Sequence, residues 1–183
     1  MKESKTSFYT KQELSKIGFK FLGDDVKISR YARIYGAEHM SIGNNVRIDD
    51  FCILSGSISL GNNIHISAFS ALYGVNGIIL EDYTGISARS TLYSALDDFS
   101  GDYLIGPIHP KKFTNVNGGE IILRKFSQLG ANVVVFPNVE IGQGSAIGAF
   151  SLVKESLSPW GIYCGVPVKK IKERSRGAIL LEY

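Results

Sequence analysis

The chain has 183 residues, room for one domain with appendages at roughly 150 residues per domain. Its 20 glycines, 5 prolines, 44% hydrophobic and 20% charged residues exclude both a collagen and a disordered chain, and leave a glycine surplus over the usual share of about 7%. The formal net charge is only +3, with acids and bases alternating over most of the length, so the footprint of a nucleic-acid binder is missing.

Met1 to Gln12 is polar and lacks an apolar signal region, and no stretch approaches 18 uninterrupted apolar residues. A cytoplasmic protein without membrane insertion is expected. Thr10-Lys11-Gln12-Glu13 has the form of a capping box, and Gly18 would close a short helix carrying Leu14 and Ile17. Residues 1–24 therefore read as an N-terminal helical cap. Cys52 and Cys164 stand far apart and outside any CxxC pair, which supports neither a disulfide scaffold nor a thiolate metal site.

A repeat organises the middle of the chain. The run from Gly43 to Gly56 returns from Gly61 to Gly74, an offset of 18, and a third copy from Glu81 is offset by 20, as if two residues near Asn76-Gly77 were inserted. Within each copy there is a period of six: an aliphatic residue, a small or polar one, and four places after the aliphatic a small or β-branched one. Ile48-Asp49-Asp50-Phe51-Cys52, Ile66-Ser67-Ala68-Phe69-Ser70, Ile86-Ser87-Ala88-Arg89-Ser90 and Ile147-Gly148-Ala149-Phe150-Ser151 follow it. Neither a helix nor a single strand has this period. Three short strands per coil do, each forming one side of a triangular prism, with coils stacked about 4.8 Å apart in parallel register. The aliphatic points inward, and so does the small residue, Cys52 among them. Glycine, Asn and Asp are expected at the corners, where the bend demands unusual backbone angles.

Residues 95–121 abandon the rhythm, an excursion long enough to suggest a function, and hold Asp97, Asp98, Tyr103, His109, Lys111, Lys112 and Asn115. The coil is expected over 25–160 around this loop. The final segment, 161–183, with Pro167 at a helix-start position and then Lys169, Lys170, Lys172, Arg174 and Arg176, reads as a basic helix or tail.

These hexads, with Gly130-Ala131-Asn132 and the ending Cys164 to Ile171, resemble the hexapeptide-repeat acyltransferases. The resemblance implies an all-β, left-handed parallel β-helix assembled as a homotrimer, with grooves between subunits and acetyl-CoA as acyl donor, without a metal. More narrowly, the chain is similar to the sugar acetyltransferases of bacterial surface polysaccharide, O-antigen and lipopolysaccharide pathways. Among these are N-acetyltransferases of dTDP-linked 4-amino-4,6-dideoxy sugars, so a nucleotide-linked sugar is the implied partner. By resemblance Gly130, Ala131, Gly148 and Ala149 line the pantetheine groove, Lys154 lies near the phosphates, and Lys169 and Lys172 attract them. The plainer alternatives are that the small residues serve only as corners and the lysines as a solvated tail.

The base is less determined. Where the maltose and galactoside O-acetyltransferase pattern ends in a catalytic histidine, this chain has Asp97, a weaker proton acceptor. An amine acceptor makes less demand on a base than a hydroxyl does, which favours N-acetylation over the alternative O-acetylation. His65, Asp97 and His109 are the catalytic candidates, each with a surface or loop role as the alternative, and His39 is an ordinary surface residue. Three rivals remain: a zinc carbonic anhydrase, which the spacing of the three histidines disfavours; a non-catalytic β-helix scaffold; and a long-chain acyltransferase acting on lipid precursors. Tyr103 and Phe113 are candidates to stack on a nucleobase.

Overall fold

The computed structural model describes residues 7–182. Triplets such as Val46-Arg47-Ile48 and Ile64-His65-Ile66 bury the outer two residues and expose the middle one, the pattern of a strand with one covered side. Strands of two or three residues cannot stand alone. Each is held by hydrogen bonds to the coils before and after it, so the stack is the unit that folds.

The stack has three faces. The first is built from Lys27–Ile28, Val46–Ile48, Ile64–Ile66, Gly85–Ile86, Gln128–Leu129, Ala146–Ile147 and Gly161–Gly165, all parallel and in register. The second runs through Arg33–Tyr35, residues 53–55 and 71–73, Thr91–Tyr93, Val134–Val135 and Leu152–Val153. The third contains Phe21–Leu22, Met40–Ile42, residues 58–60 and 78–80, Ile121–Leu123 and Val139–Ile141. The long strands Ile53–Leu60 and Ala71–Leu80 bend from the second face into the third. Between them Gly56 pairs with Gly74 but Ile58 pairs with Ile78, so the two-residue insertion sits at this corner. Ile48, Leu54, Ile42 and their counterparts in the coils above fill the prism and are fully buried. Cys52 lies among them, where burial pushes its thiol up to about 11.

The corners correct one expectation. Gly43, Gly61, Gly130, Gly142 and Gly148 are not the left-handed residues. That conformation falls two places later, on Asn45, Asn63, Asn132 and Phe150, and likewise on Phe51 and Phe69, two places after Asp49 and Ser67. The glycines answer to stacking instead: a Cβ on Gly43 would lie 2.3 Å from the Gly61 carbonyl oxygen. At one corner the aromatic rings form an exposed ladder, Tyr31 on Phe51 at 5.6 Å and Phe51 on Phe69 at 5.0 Å, with the Arg89 guanidinium 5.6 Å from the Phe69 ring.

At the N-terminus the capping box forms: the Glu13 N–H donates to the Thr10 hydroxyl and the Thr10 N–H to the Glu13 carboxylate. The helix is a single turn, Lys11–Leu14, shorter than the pattern suggested, with Leu14 buried on the core and Gly18 left-handed beyond it. The excursion leaves the stack as a two-stranded antiparallel neck, Ala95–Asp97 against Val116–Gly118, closed by Asn115 Nδ2 donating to Asp98 at 2.8 Å. The chain re-enters at Ile121, beside Ile78.

The C-terminal helix is not formed. Val168–Glu173 is a strand that doubles back antiparallel on Gly161–Gly165, and only Gly177–Leu181 coils into a 3-10 turn. The last coil would otherwise present a row of unpaired N–H and C=O groups, and the following segment covers that edge. Beyond it the tail runs along another corner. Arg174 donates from its backbone N–H to the Trp160 carbonyl and from its guanidinium to the carbonyls of Phe126 and Gly144, each at 2.9 Å for the side chain, joining three coils.

Candidate active site

The corner between the first and second faces carries a column of short residues: Asp49, Ser67, Ser87, Gly130 and Gly148. Each N–H donates to the carbonyl just before the next level, on Ile66, Ile86, Leu129, Ile147 and Tyr163 in turn. Beside it runs a column of outward side chains on the first face, Arg47, His65, Gly85, Gln128, Ala146 and Ile162. His65 and Arg47 both meet Asp49, each at 2.7 Å, so the histidine is held at the corner rather than free. Burial raises the Asp49 carboxyl, but the hydrogen bonds from Arg47 and His65 outweigh it and keep the group below the usual carboxylate range.

Gly130 and Gly148 are dictated by the stack. A Cβ on Gly130 would lie 2.7 Å from the Ala149 nitrogen, and one on Gly148 would lie 2.9 Å from Cys164 Cβ. With Ala131 and Ala149 they leave a strip on which nothing larger than a methyl projects. Above the strip, Lys169 lies opposite Cys164 and Lys172 opposite Ile162 in the antiparallel pair. Opposed residues project to the same side of a sheet. Both lysines therefore stand on the outward side of the first face, and among the described residues neither forms an ion pair, unlike Lys170, which meets Glu173 at 2.5 Å. A flat strip ending in two free cations suits a slender ligand terminated by phosphates. Lys154 stands one face away, in a hollow with Pro167 and Val168, 4.0 Å from Glu155.

The excursion borders a cavity of about 600 Å³. Val75, Tyr93 and Phe99 give it apolar walls, Asp97 and Lys111 give it charge, and the His109 imidazole lines it as well. Asp97 leads into the excursion from the antiparallel neck, where its Oδ1 accepts a long hydrogen bond of 3.4 Å from the Gly106 N–H. Asp97 and His109 are thus brought together, while His65 is separated from them by the whole second face. His39 is exposed beside Glu38, away from both places. Phe113 is exposed and carries the Lys112 ammonium 4.8 Å from its ring.

Sequence reasoning passed over Asp49 and Ser87, which sit in hexads that look purely structural. Only the stacking of coils reveals that they share a column with Gly130 and Gly148. Among the described residues no cluster of three His, Cys, Asp or Glu side chains is placed to hold a metal, and no helix is long and apolar enough to cross a membrane.

No family model matches the chain. It is 40% identical over 173 residues to a dTDP-4-amino-4,6-dideoxy-D-glucose acyltransferase from Escherichia coli, covering 93% of this chain and 90% of the relative. It is 53% identical to AntD, an N-acyltransferase from Bacillus cereus crystallised with dTDP and 3-hydroxybutyryl-CoA, with a TM-score of 0.95 over 96% of this chain and 94% of that one. AntD has also been crystallised with dTDP-4-amino-4,6-dideoxyglucose and coenzyme A, and as variants of one aspartate and of a serine ten residues before it. A hexapeptide-repeat acetyltransferase from Vibrio cholerae, 17% identical with a TM-score of 0.62 over 88% of this chain and 75% of that one, shares the fold. The chain belongs to the dTDP-4-amino-4,6-dideoxyglucose acyltransferase family and is an acyltransferase built on stacked hexapeptide coils.

Proposed function

We propose that the protein transfers an acyl group from a coenzyme A thioester to the 4-amino group of a dTDP-linked 4-amino-4,6-dideoxy sugar, in the cytoplasm, for a surface polysaccharide of the O-antigen or lipopolysaccharide kind. The observation that carries this reading is the excursion cavity with Asp97 in its wall, in a chain that matches the dTDP-sugar relatives almost from end to end. Ser87 and Asp97 have the same ten-residue spacing as the pair varied in AntD.

When bound, the thioester supplies the acyl group; the remaining work falls to the chain. Asp97 receives the acceptor's amino group and takes the proton that must leave nitrogen for the amide to form. An amine suits a carboxylate in this role because the neutral amine is already a nucleophile. Ser87 has its N–H committed to the Leu129 carbonyl, which leaves its hydroxyl as the group to orient the acyl carbonyl or the amine. The strip of Gly130, Ala131, Gly148 and Ala149 holds the pantetheine arm, and Lys169 and Lys172 hold the phosphates, with Lys154 a weaker contributor because it lies on another face. His109 shares the cavity with Asp97 and is the second candidate for the proton. His65, fixed by Asp49 at the donor strip, is a positioning group.

Ser87 and Asp97 cannot reach one reacting atom within a single chain, since a side of the prism stands between them. A homotrimer in which the excursion of one subunit overlies the corner of the next would join them, and the exposed ladder of Tyr31, Phe51 and Phe69 offers apolar surface for such contact. Thiol release tests the function. With acetyl-CoA and 3-hydroxybutyryl-CoA as donors, dTDP-4-amino-4,6-dideoxyglucose is expected to turn over well above simple glycosides. Equal or greater activity with a maltoside or galactoside would replace this reading by O-acylation.

A further inference from the structure

We infer that Lys111 is the cation that takes the diphosphate of the acceptor, and so makes the enzyme select a nucleotide-linked sugar over the same sugar without its nucleotide. This inference rests on the acceptor assignment above and adds to it a residue and a basis for selectivity.

The excursion holds two adjacent lysines in different situations. Lys112 is turned onto the Phe113 ring, 4.8 Å from its centre. Lys111 instead lines the cavity that also contains Asp97 and His109. Among the described residues Lys111 forms no ion pair, whereas Lys11, Lys125, Lys154 and Lys170 each have an acidic neighbour. The Lys111 backbone is fixed: its carbonyl accepts from the Thr114 hydroxyl and N–H, both at 3.3 Å, and the Phe113 N–H closes the turn on Pro110. An uncompensated ammonium on a fixed turn at a cavity wall is suited to bind an anion supplied by a ligand.

The charges of the cavity match the acceptor's two ends. Asp97 is complementary to an amine and Lys111 to a diphosphate, and the two come from opposite limbs of the excursion, Asp97 on the way out and Lys111 on the way back. The same wall includes the apolar Val75, Tyr93 and Phe99, which suit a deoxy sugar with a methyl group. An acceptor that carried the amine but no phosphate would satisfy only one end, and would leave Lys111 without a counter-charge.

The test uses the full-length protein with Lys111→Ala and Lys111→Arg. Direct binding of dTDP, measured calorimetrically, is expected to weaken about tenfold or more in K111A and to recover most of its strength in K111R, because an arginine keeps the charge. In turnover, K111A is expected to raise KM for the dTDP-sugar by a similar factor while KM for the acyl-CoA serves as the unmoved reference. The preference of the enzyme for the dTDP-sugar over the methyl glycoside of the same amino sugar should shrink accordingly. If the unaltered protein binds dTDP and K111A binds it equally well, this inference is wrong and the acceptor assignment stands. If the unaltered protein binds no dTDP, both fall together.

Discussion

Phe51, Phe69 and Phe150 hold the left-handed backbone at one corner, while Asp49, Ser67 and Gly148, two places before them, do not. Phe51 stacks on the rings of Tyr31 and Phe69, and Phe69 also meets the Arg89 guanidinium, so at these two residues interaction between coils offsets a local conformational cost of about 1–2 kcal/mol. The glycines are retained for a different reason, the approach of the next coil's backbone. Gly43→Ala should therefore destabilise the protein by about 1–3 kcal/mol through overpacking, readable as a lower midpoint in urea. Asp97 and the donor-strip lysines make separable predictions. Asp97→Asn keeps the shape but removes the proposed proton acceptor, and should lower kcat by about a hundredfold at near-neutral pH. Lys169→Ala together with Lys172→Ala should raise KM for acyl-CoA severalfold with kcat little altered, because the phosphate contacts proposed for them would be made equally in the ground and transition states. An unchanged KM would return them to the role of a solvated edge.

At the scale of elements, the two ends of the stack are closed by different devices. At the N-terminal end Glu13 both completes the capping box and grips Arg30 at 2.8 and 2.6 Å, and the Arg30 hydrogen bond above all holds its carboxyl at about 2. A carboxyl lowered on folding stabilises the native state above its unfolded value, about 4.3, and that contribution is lost as pH falls through 4 towards 2. Glu13→Gln should flatten this part of the acid-unfolding profile without shifting stability above pH 6 in a pH-dependent way. At the other end Arg174 ties the tail across three coils, and Lys125 meets Glu182 farther along. Burial lowers the pKa of the Arg174 guanidinium, which meets carbonyl oxygens and, among the described residues, forms no ion pair. Arg174→Ala leaves the Phe126 and Gly144 carbonyls without this donor, and should lower the unfolding midpoint. Because the strand carrying Lys169 and Lys172 leads directly into Arg174, the same variant should also weaken acyl-CoA binding, and Arg174→Lys should restore part of it.

For the whole molecule, the exposed ladder and the separation of Ser87 from Asp97 lead to the same expectation: a particle of three chains in solution, measurable by light scattering. Charged replacements in the ladder, Phe51→Glu with Phe69→Glu, should yield single chains that remain folded but have lost most activity. Folded and active monomers would show that one chain completes a site alone. The sequence by itself determined the coil: the period of six, its inward aliphatics and the two-residue slip at residues 75–77 are local patterns, legible because every coil repeats the same demand. It also marked out the excursion, by the failure of that pattern, and pointed to Asp97 and His109 within it. Tertiary structure decided what repetition could not encode. Whether the basic ending would be helix or strand depended on an exposed strand edge contributed by residues 161–165. The neighbours of Asp49, Ser87 and Lys111 depended on which coils stack and how the excursion folds over them. Those relations lie between residues distant in sequence, where neither spacing nor propensity carries information, and they separate the strip of Gly130 and Gly148 from the excursion cavity by one side of a prism.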